Sequence, residues 1–207
     1  MKKVVCTLLP VLAIALVLGM TSAVAQNPNA PDDVYMVGYY SGALIAGNPD
    51  STVRVVNDGS AGEADLCAAF YLFDSAQELQ ACCSCPVSAD GIISESINRN
   101  LLNNVLTADI NHAGVVKVLS TATARSGPTE CSASAKYAGA VTPGIRGWIT
   151  HIQAGKTAAA PVLTEVQLTD SNYTTLETGD LELECQYAIL LGSGHGVCSC
   201  TNEGTAW

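Results

Sequence analysis

Residues 66–91 read LCAAFYLFDSAQELQACCSCPVSADG. The first nine, Leu66 to Asp74, give an extended chain no polar face. A half-buried strand would alternate, so this segment reads as a central strand covered on both sides. Asp74-Ser75-Ala76-Gln77-Glu78 then interrupts the apolar run. Ser75 and Glu78 have the spacing of a capping box. Pro86, however, leaves residues 76–85 short of helix length, so a hairpin turn is the better reading. Cys82, Cys83 and Cys85 come next. Residues two apart in a strand share a face, which sends Cys83 and Cys85 one way and Cys82 the other. HGVCSC (195–200) repeats the Cys-Ser-Cys of 83–85.

Outward from this stretch, other segments carry strand signals. VYMVGYY (34–40) is β-type, and TVRVVN (52–57) sets Val53 and Val55 against Thr52, Arg54 and Val56. IISESIN (92–98), VVKVLSTAT (115–123) and VLTEVQLTD (162–170) extend the series. In 144–154, Ile145, Gly147 and Ile149 share one face while Arg146, Trp148 and Thr150 take the other. HGVCSC reads as a closing strand. Between them, 98–114 is an Asn-rich connection with room for a helical turn, and 125–144 is a loop pinned by Cys131. One helix is expected late, in 179–194. Leu181, Cys185, Ala188 and Ile189 fall on one face there, Asp180, Glu182 and Glu184 favour its start, and Gly192 suits its end. Strands roughly ten residues apart, separated by Gly, Asn, Asp and Pro, predict a mainly β protein. The expected architecture is an antiparallel β-sandwich, Ig-like or related, with one late α-helix and disulfide staples.

The N-terminus has the pattern of a secretory signal. Lys2 and Lys3 precede an apolar run, and Ala23-Val24-Ala25 is a small-x-small cleavage site. Pro10 and the short apolar length separate it from a membrane span. The division expected is therefore a signal peptide over 1–25, a flexible leader over 26–33 and a single domain over 34–207. The sequence carries nine cysteines; Cys6 leaves with the signal, so eight remain: Cys67, Cys82, Cys83, Cys85, Cys131, Cys185, Cys198 and Cys200. An even number in an oxidising compartment predicts four disulfides. Spacing does not fix the pairing, but the matching Cys-Ser-Cys pairs lead us to expect at least one bridge from 82–85 to 198–200.

Charge narrows the partners. The full chain carries −10, and only 14% of it is charged against about 25% in an average domain. Its nine Lys and Arg residues form no cluster, which argues against nucleic acid and anionic membrane. Loss of the two signal lysines makes the mature chain more acidic still.

No motif fixes a reaction. Residues 192–196 read Gly-Ser-Gly-His-Gly rather than a nucleophile elbow, and there is no His-Glu-x-x-His. Asp58, Ser60, Glu63 and Asp65 fail the spacing of a calcium-binding EF-hand loop. Tyr35, Tyr39 and Tyr40 suit a sugar-binding face or plain strand packing equally. Two Cys-x-Cys pairs suit a four-thiolate metal site, but they are tighter than the usual structural zinc spacing, and the compartment favours oxidation. A vicinal Cys82–Cys83 bridge is disfavoured by geometry. Among the histidines, His112 lies in a turn and His151 in an apolar strand as a half-buried structural residue. His195, between two glycines and three residues before Cys198, is the one weak functional candidate.

LCAAFYLFDSAQELQACCSCPVSADG, GIRGWITHIQ and LGSGHGVCSC together resemble a group of exported, Cys-rich bacterial proteins of unknown function. The likeness spans most of the mature chain. It implies export and a shared cysteine framework, and carries no activity, cofactor or catalytic residue. The expectation is an exported, secreted or periplasmic β-sandwich with a structural or binding role at or outside the cell envelope. Its partner would be an envelope or extracellular polymer or protein, with no cofactor and no membrane span after signal cleavage. The alternatives are an extracytoplasmic hydrolase using His195 and a metal-binding or redox protein built on the two Cys-Ser-Cys pairs.

Overall fold

A computed structural model describes residues 33–200 apart from 47, 63, 108–111, 124–130 and 154–161. The segments expected to be signal peptide (1–25) and leader (26–33), the latter all but its last residue, and Trp207 lie outside the described residues. The elements in chain order are β1 (Tyr35–Ser41), β2 (Thr52–Asn57), β3 (Leu66–Asp74), β4 (Leu79–Val87), β5 (Ile92–Ser96), β6 (Ala113–Ala122), β7 (Ile145–Gln153), β8 (Val162–Gln167), β9 (Thr169–Asp170) and α1 (Thr175–Leu191). One sheet has the order β4-β3-β6-β1-β9 and the other β5-β2-β7-β8. Every neighbouring pair of strands is antiparallel.

The apolar character of β3 on both faces comes from its place in the middle layer. Leu66, Ala68, Phe70 and Leu72 point between the sheets, where they meet Val53, Val55, Ile145 and Ile149. Ala69 and Tyr71 point the other way, into a second core with Tyr35, Leu119, Leu181, Cys185 and Ala188. The protein is thus a sandwich with a helix laid on the outer face of the five-stranded sheet. In the four-stranded sheet, by contrast, β2 and β7 bury alternate residues, as their sequences predict: Val53, Val55, Gly147 and Ile149 are buried, while Arg146 is exposed.

The hairpin between β3 and β4 is built on Asp74. Its carboxylate accepts hydrogen bonds from the backbone N–H of Ala76 (2.8 Å) and Glu78 (3.1 Å) and from the Gln80 side chain (3.3 Å). Gln77 takes the left-handed conformation that the turn requires (φ 67°). Asp74 is 3% exposed, and these bonds satisfy a carboxylate that burial would otherwise disfavour.

Four expectations need correction. The segment 162–170 is two strands: β8 belongs to the four-stranded sheet and β9 crosses to the other. The crossing is made at Leu168, which is 2% exposed and enters the inter-sheet core. Residues 92–98 are strand only to Ser96. Ser96 then caps a π-helical turn over Ile97–Leu101, its hydroxyl accepting from Arg99 N–H (2.8 Å). HGVCSC is no strand. It makes a single parallel bridge, Val197 to Cys82, because disulfides rather than a hydrogen-bond ladder hold it there. The helix begins four residues earlier than the pattern suggests. Thr174 caps it, accepting from Glu177 N–H (3.1 Å), and this stabilises the first turn despite Gly179.

Gly147 makes room for Leu168. A Cβ there would lie 2.5 Å from a Leu168 methyl carbon, deep in the core. Gly147→Ala is expected to cost about 1–3 kcal/mol as overpacking. Urea titration of Gly147→Ala, Leu168→Ala and the double variant should show a double-mutant coupling of about 1 kcal/mol or more. Additive losses would mean that the two side chains do not meet.

Candidate binding groove along the helix

All eight cysteines predicted for the mature chain are paired. The bridges are Cys67–Cys131, Cys82–Cys185, Cys83–Cys198 and Cys85–Cys200. The two Cys-Ser-Cys segments join in register, as their matching geometry suggests, and Cys82 points to the opposite side to hold α1. The sulfurs of Cys83, Cys85 and Cys200 lie within 4.8 Å of one another. Each is consumed in a disulfide, so in this oxidised form none is a thiolate ligand.

The histidines separate clearly. His195 is exposed in the turn after α1, between left-handed Gly194 (φ 92°) and Gly196 (φ 81°). Its backbone N–H donates to Gly192 O (2.8 Å). Among the described residues no hydrogen bond or ion pair engages its imidazole, so the structure brings no carboxylate or hydroxyl to it. His112 Nδ1 lies 2.7 Å from Ala43 O and ties two loops together. His151 is more buried than its sequence suggests, at 5% exposure. Its ring lies 3.9 Å from that of Tyr39, its Nδ1 lacks a hydrogen-bond partner, and burial lowers its pKa. Tyr35 and Tyr40 are buried and only Tyr39 is exposed, so the three make no common face. In the acidic loop, Asp58 is engaged by Ser60 and by Arg146, which hold its carboxyl below the usual range.

The feature that the sequence reading missed is the outer side of α1. Thr178, Leu181, Cys185 and Ala188 form the stripe buried on the sheet. Cys185 is bonded to Cys82, Tyr35 Oη donates to Glu177 Oε1 (2.8 Å), and Lys117 Nζ pairs with the same oxygen (3.3 Å). Desolvation together with Glu177 raises the pKa of Tyr35, which keeps the phenol a donor. Leu176, Leu183 and Leu190 recur every seven residues on the opposite face, with Tyr187 four beyond Leu183. They are 77%, 40%, 66% and 53% exposed respectively. Ile189, expected in the buried stripe, is 46% exposed at its margin. The signal was available as a Leu heptad, but the internal stripe absorbed the reading of the helix.

One flank of α1 stands clear of the sheet and leaves two adjoining hollows. The larger, about 540 Å³, lies between Tyr187 and Leu191 of the helix and Leu79 and Leu106. The smaller, about 390 Å³, lies between Leu176 and Asp180 of the helix and Phe73 and Lys117. Glu184 borders both. Glu78 and Asp180 add carboxylates along the rim. Among the described residues none of these three acids has an ion-pair partner within salt-bridge distance. Burial raises the pKa of Glu184; Lys117 opposes the rise and Asp180 adds to it. The result is a largely apolar groove with an acidic edge, with no hydrogen-bonded nucleophile and base among the described residues that line it.

Neutral His151 in the fold implies that acidification below about pH 6.5, where the unfolded chain takes up its proton, favours unfolding. Thermal melts between pH 7 and 5.5 should therefore fall more steeply for wild type than for His151→Gln; parallel curves would contradict this. Removing the Cys82–Cys185 bridge as Cys82→Ala/Cys185→Ala should destabilise by about 2–4 kcal/mol. Hydrogen exchange should accelerate first in 175–191, while equal acceleration across β2 and β7 would show that the bridge does more than hold the helix.

No protein-family model, curated protein or solved structure matches this chain, so the chemistry of the groove is what speaks for its role.

Proposed function

We propose that this protein is an exported, non-enzymatic binding domain that works at or outside the cell envelope through the groove and outer face of α1. One observation carries the reading: α1 is apolar on two opposite faces, and only one of them is used by the fold. A helix apolar all round is normally covered all round. Exposed apolar surface concentrated on one element marks an interaction site. Four disulfides suit an oxidising compartment. Among the described residues no helix is long and apolar enough to cross a membrane.

A photo-crosslinking residue placed at position 183 tests the binding role in producing cells. The expected result is one discrete extracytoplasmic adduct, absent when the same residue is placed at position 92, which is also exposed but lies in β5 of the four-stranded sheet. Equal labelling at both positions, or none at 183, would overturn the reading.

A further inference from the structure

We propose that the outer face of α1 receives an amphipathic helix of a different protein, with a leucine-type seam flanked by Lys or Arg. The inference rests on the binding role just given and names the class of partner. Leu176, Leu183 and Leu190 keep a seven-residue repeat, and Tyr187 supplies the intervening position one helical turn beyond Leu183. That spacing is the one a second helix matches, each apolar side chain entering the gap left by four residues of its neighbour. An extended peptide, with a period of two, would meet only part of it.

Charge selects among helices. Asp180, seven residues before Tyr187, sits in the seam itself, and Glu78 and Glu184 stand beside it; none of the three has an ion-pair partner among the described residues. Glu177, the next acid along, already shares its carboxylate with Lys117 and Tyr35. The helix itself contains no Lys, Arg or His. Two copies of this face would set acid against acid around the leucines, in a chain carrying −10 overall. A partner with basic residues beside its seam turns that repulsion into attraction. Carboxylates border both hollows, Glu78 and Glu184 the one beside Tyr187 and Leu191, and Asp180 and Glu184 the one beside Leu176. The fitting partner therefore carries its basic residues along the seam rather than at one end.

The test uses the oxidised, secreted protein and three synthetic helical peptides of equal length. One has Leu at the seam flanked by Lys, one has Glu in place of Lys, and one has the Lys peptide's composition without the heptad. Calorimetric titration is expected to give a micromolar Kd for the Lys peptide and at least tenfold weaker binding for the other two. Leu183→Glu/Leu190→Glu should lose at least tenfold for the Lys peptide with an unchanged Tm. Asp180→Lys/Glu184→Lys should reverse the order of the Lys and Glu peptides. Equal binding of the scrambled peptide, or an order unmoved by the charge reversal, would overturn the proposal. A dimer in sedimentation that Leu183→Glu dissolves would assign the face to a second copy and overturn it equally. If crosslinking at 183 succeeds while the peptides fail to discriminate, the binding role stands and this partner class falls. If crosslinking fails, the role itself falls.

Discussion

Seven consecutive residues of β3, Leu66 to Leu72, are buried, and no other strand of the five-stranded sheet is so completely enclosed. A segment of that kind is stable only with an apolar layer on each side, since each large side chain withdrawn from water contributes about 1.5–3 kcal/mol. The four-stranded sheet supplies one layer. The other must come from α1 and the 131–138 loop, there being no third sheet among the described residues. Two phenols carried into these layers find backbone acceptors: Tyr71 Oη donates to Ala133 O (3.0 Å) and Tyr40 Oη to Phe73 O (3.1 Å). The helix is therefore a structural necessity before it is a surface, and its outward face is what remains once the inward one has been used.

The edge strand β4 shows how the same layers are locked. An uncovered edge offers its backbone to other chains. Here Cys82 N–H donates to Gly196 O (3.0 Å) and Cys198 N–H to Cys82 O (3.1 Å), while Leu106 N–H reaches Gln80 O (2.8 Å). Disulfides leave β4 from both faces, to α1 on one side and to the 198–200 segment on the other. The walls of the larger hollow are thus anchored covalently, through Cys82–Cys185 for the helix and through the turn after it. A binding face held in this way loses little conformational freedom when occupied.

Most of the sandwich was legible because burial leaves a period in the sequence. Val53 and Val55, or Ile145, Gly147 and Ile149, announce one covered face, and the unbroken run in β3 announces two. The Cys-Ser-Cys match was legible for a similar reason, since two short segments of equal geometry can pair in register. What escaped depended on contacts distant in sequence. Leu168 looks like any other residue of a continuous strand, and only the space beside Gly38 and Gly147 reveals that the chain changes sheets there. Thr174 caps the helix through Glu177 N–H, a start that Gly179 masks in a propensity reading. The groove was not legible at all, because Leu79, Leu106 and Phe73 come together with α1 only through the sheet and its loops. His195 looked suggestive for its glycines, which prove to serve a turn.

The pairing pattern also bears on the order in which the protein can mature. A chain threaded N-terminus first into an oxidising space presents Cys82, Cys83 and Cys85 together, three thiols within four residues. Their proper partners lie 103, 115 and 115 residues further on. In that interval the thiols available to them are one another, Cys67 and Cys131, and every bond made among these with a member of the trio is one the finished fold must break. Only Cys67–Cys131, separated by 64 residues, can close correctly before Cys185 has crossed. Oxidation during transit thus favours the wrong products, and the native set is reached by exchange of bonds already formed or by thiols kept reduced until the C-terminal segment arrives. Exported as proposed, a protein that looks rigid when complete would, by its own chain order, depend on its host's thiol chemistry while it is being made.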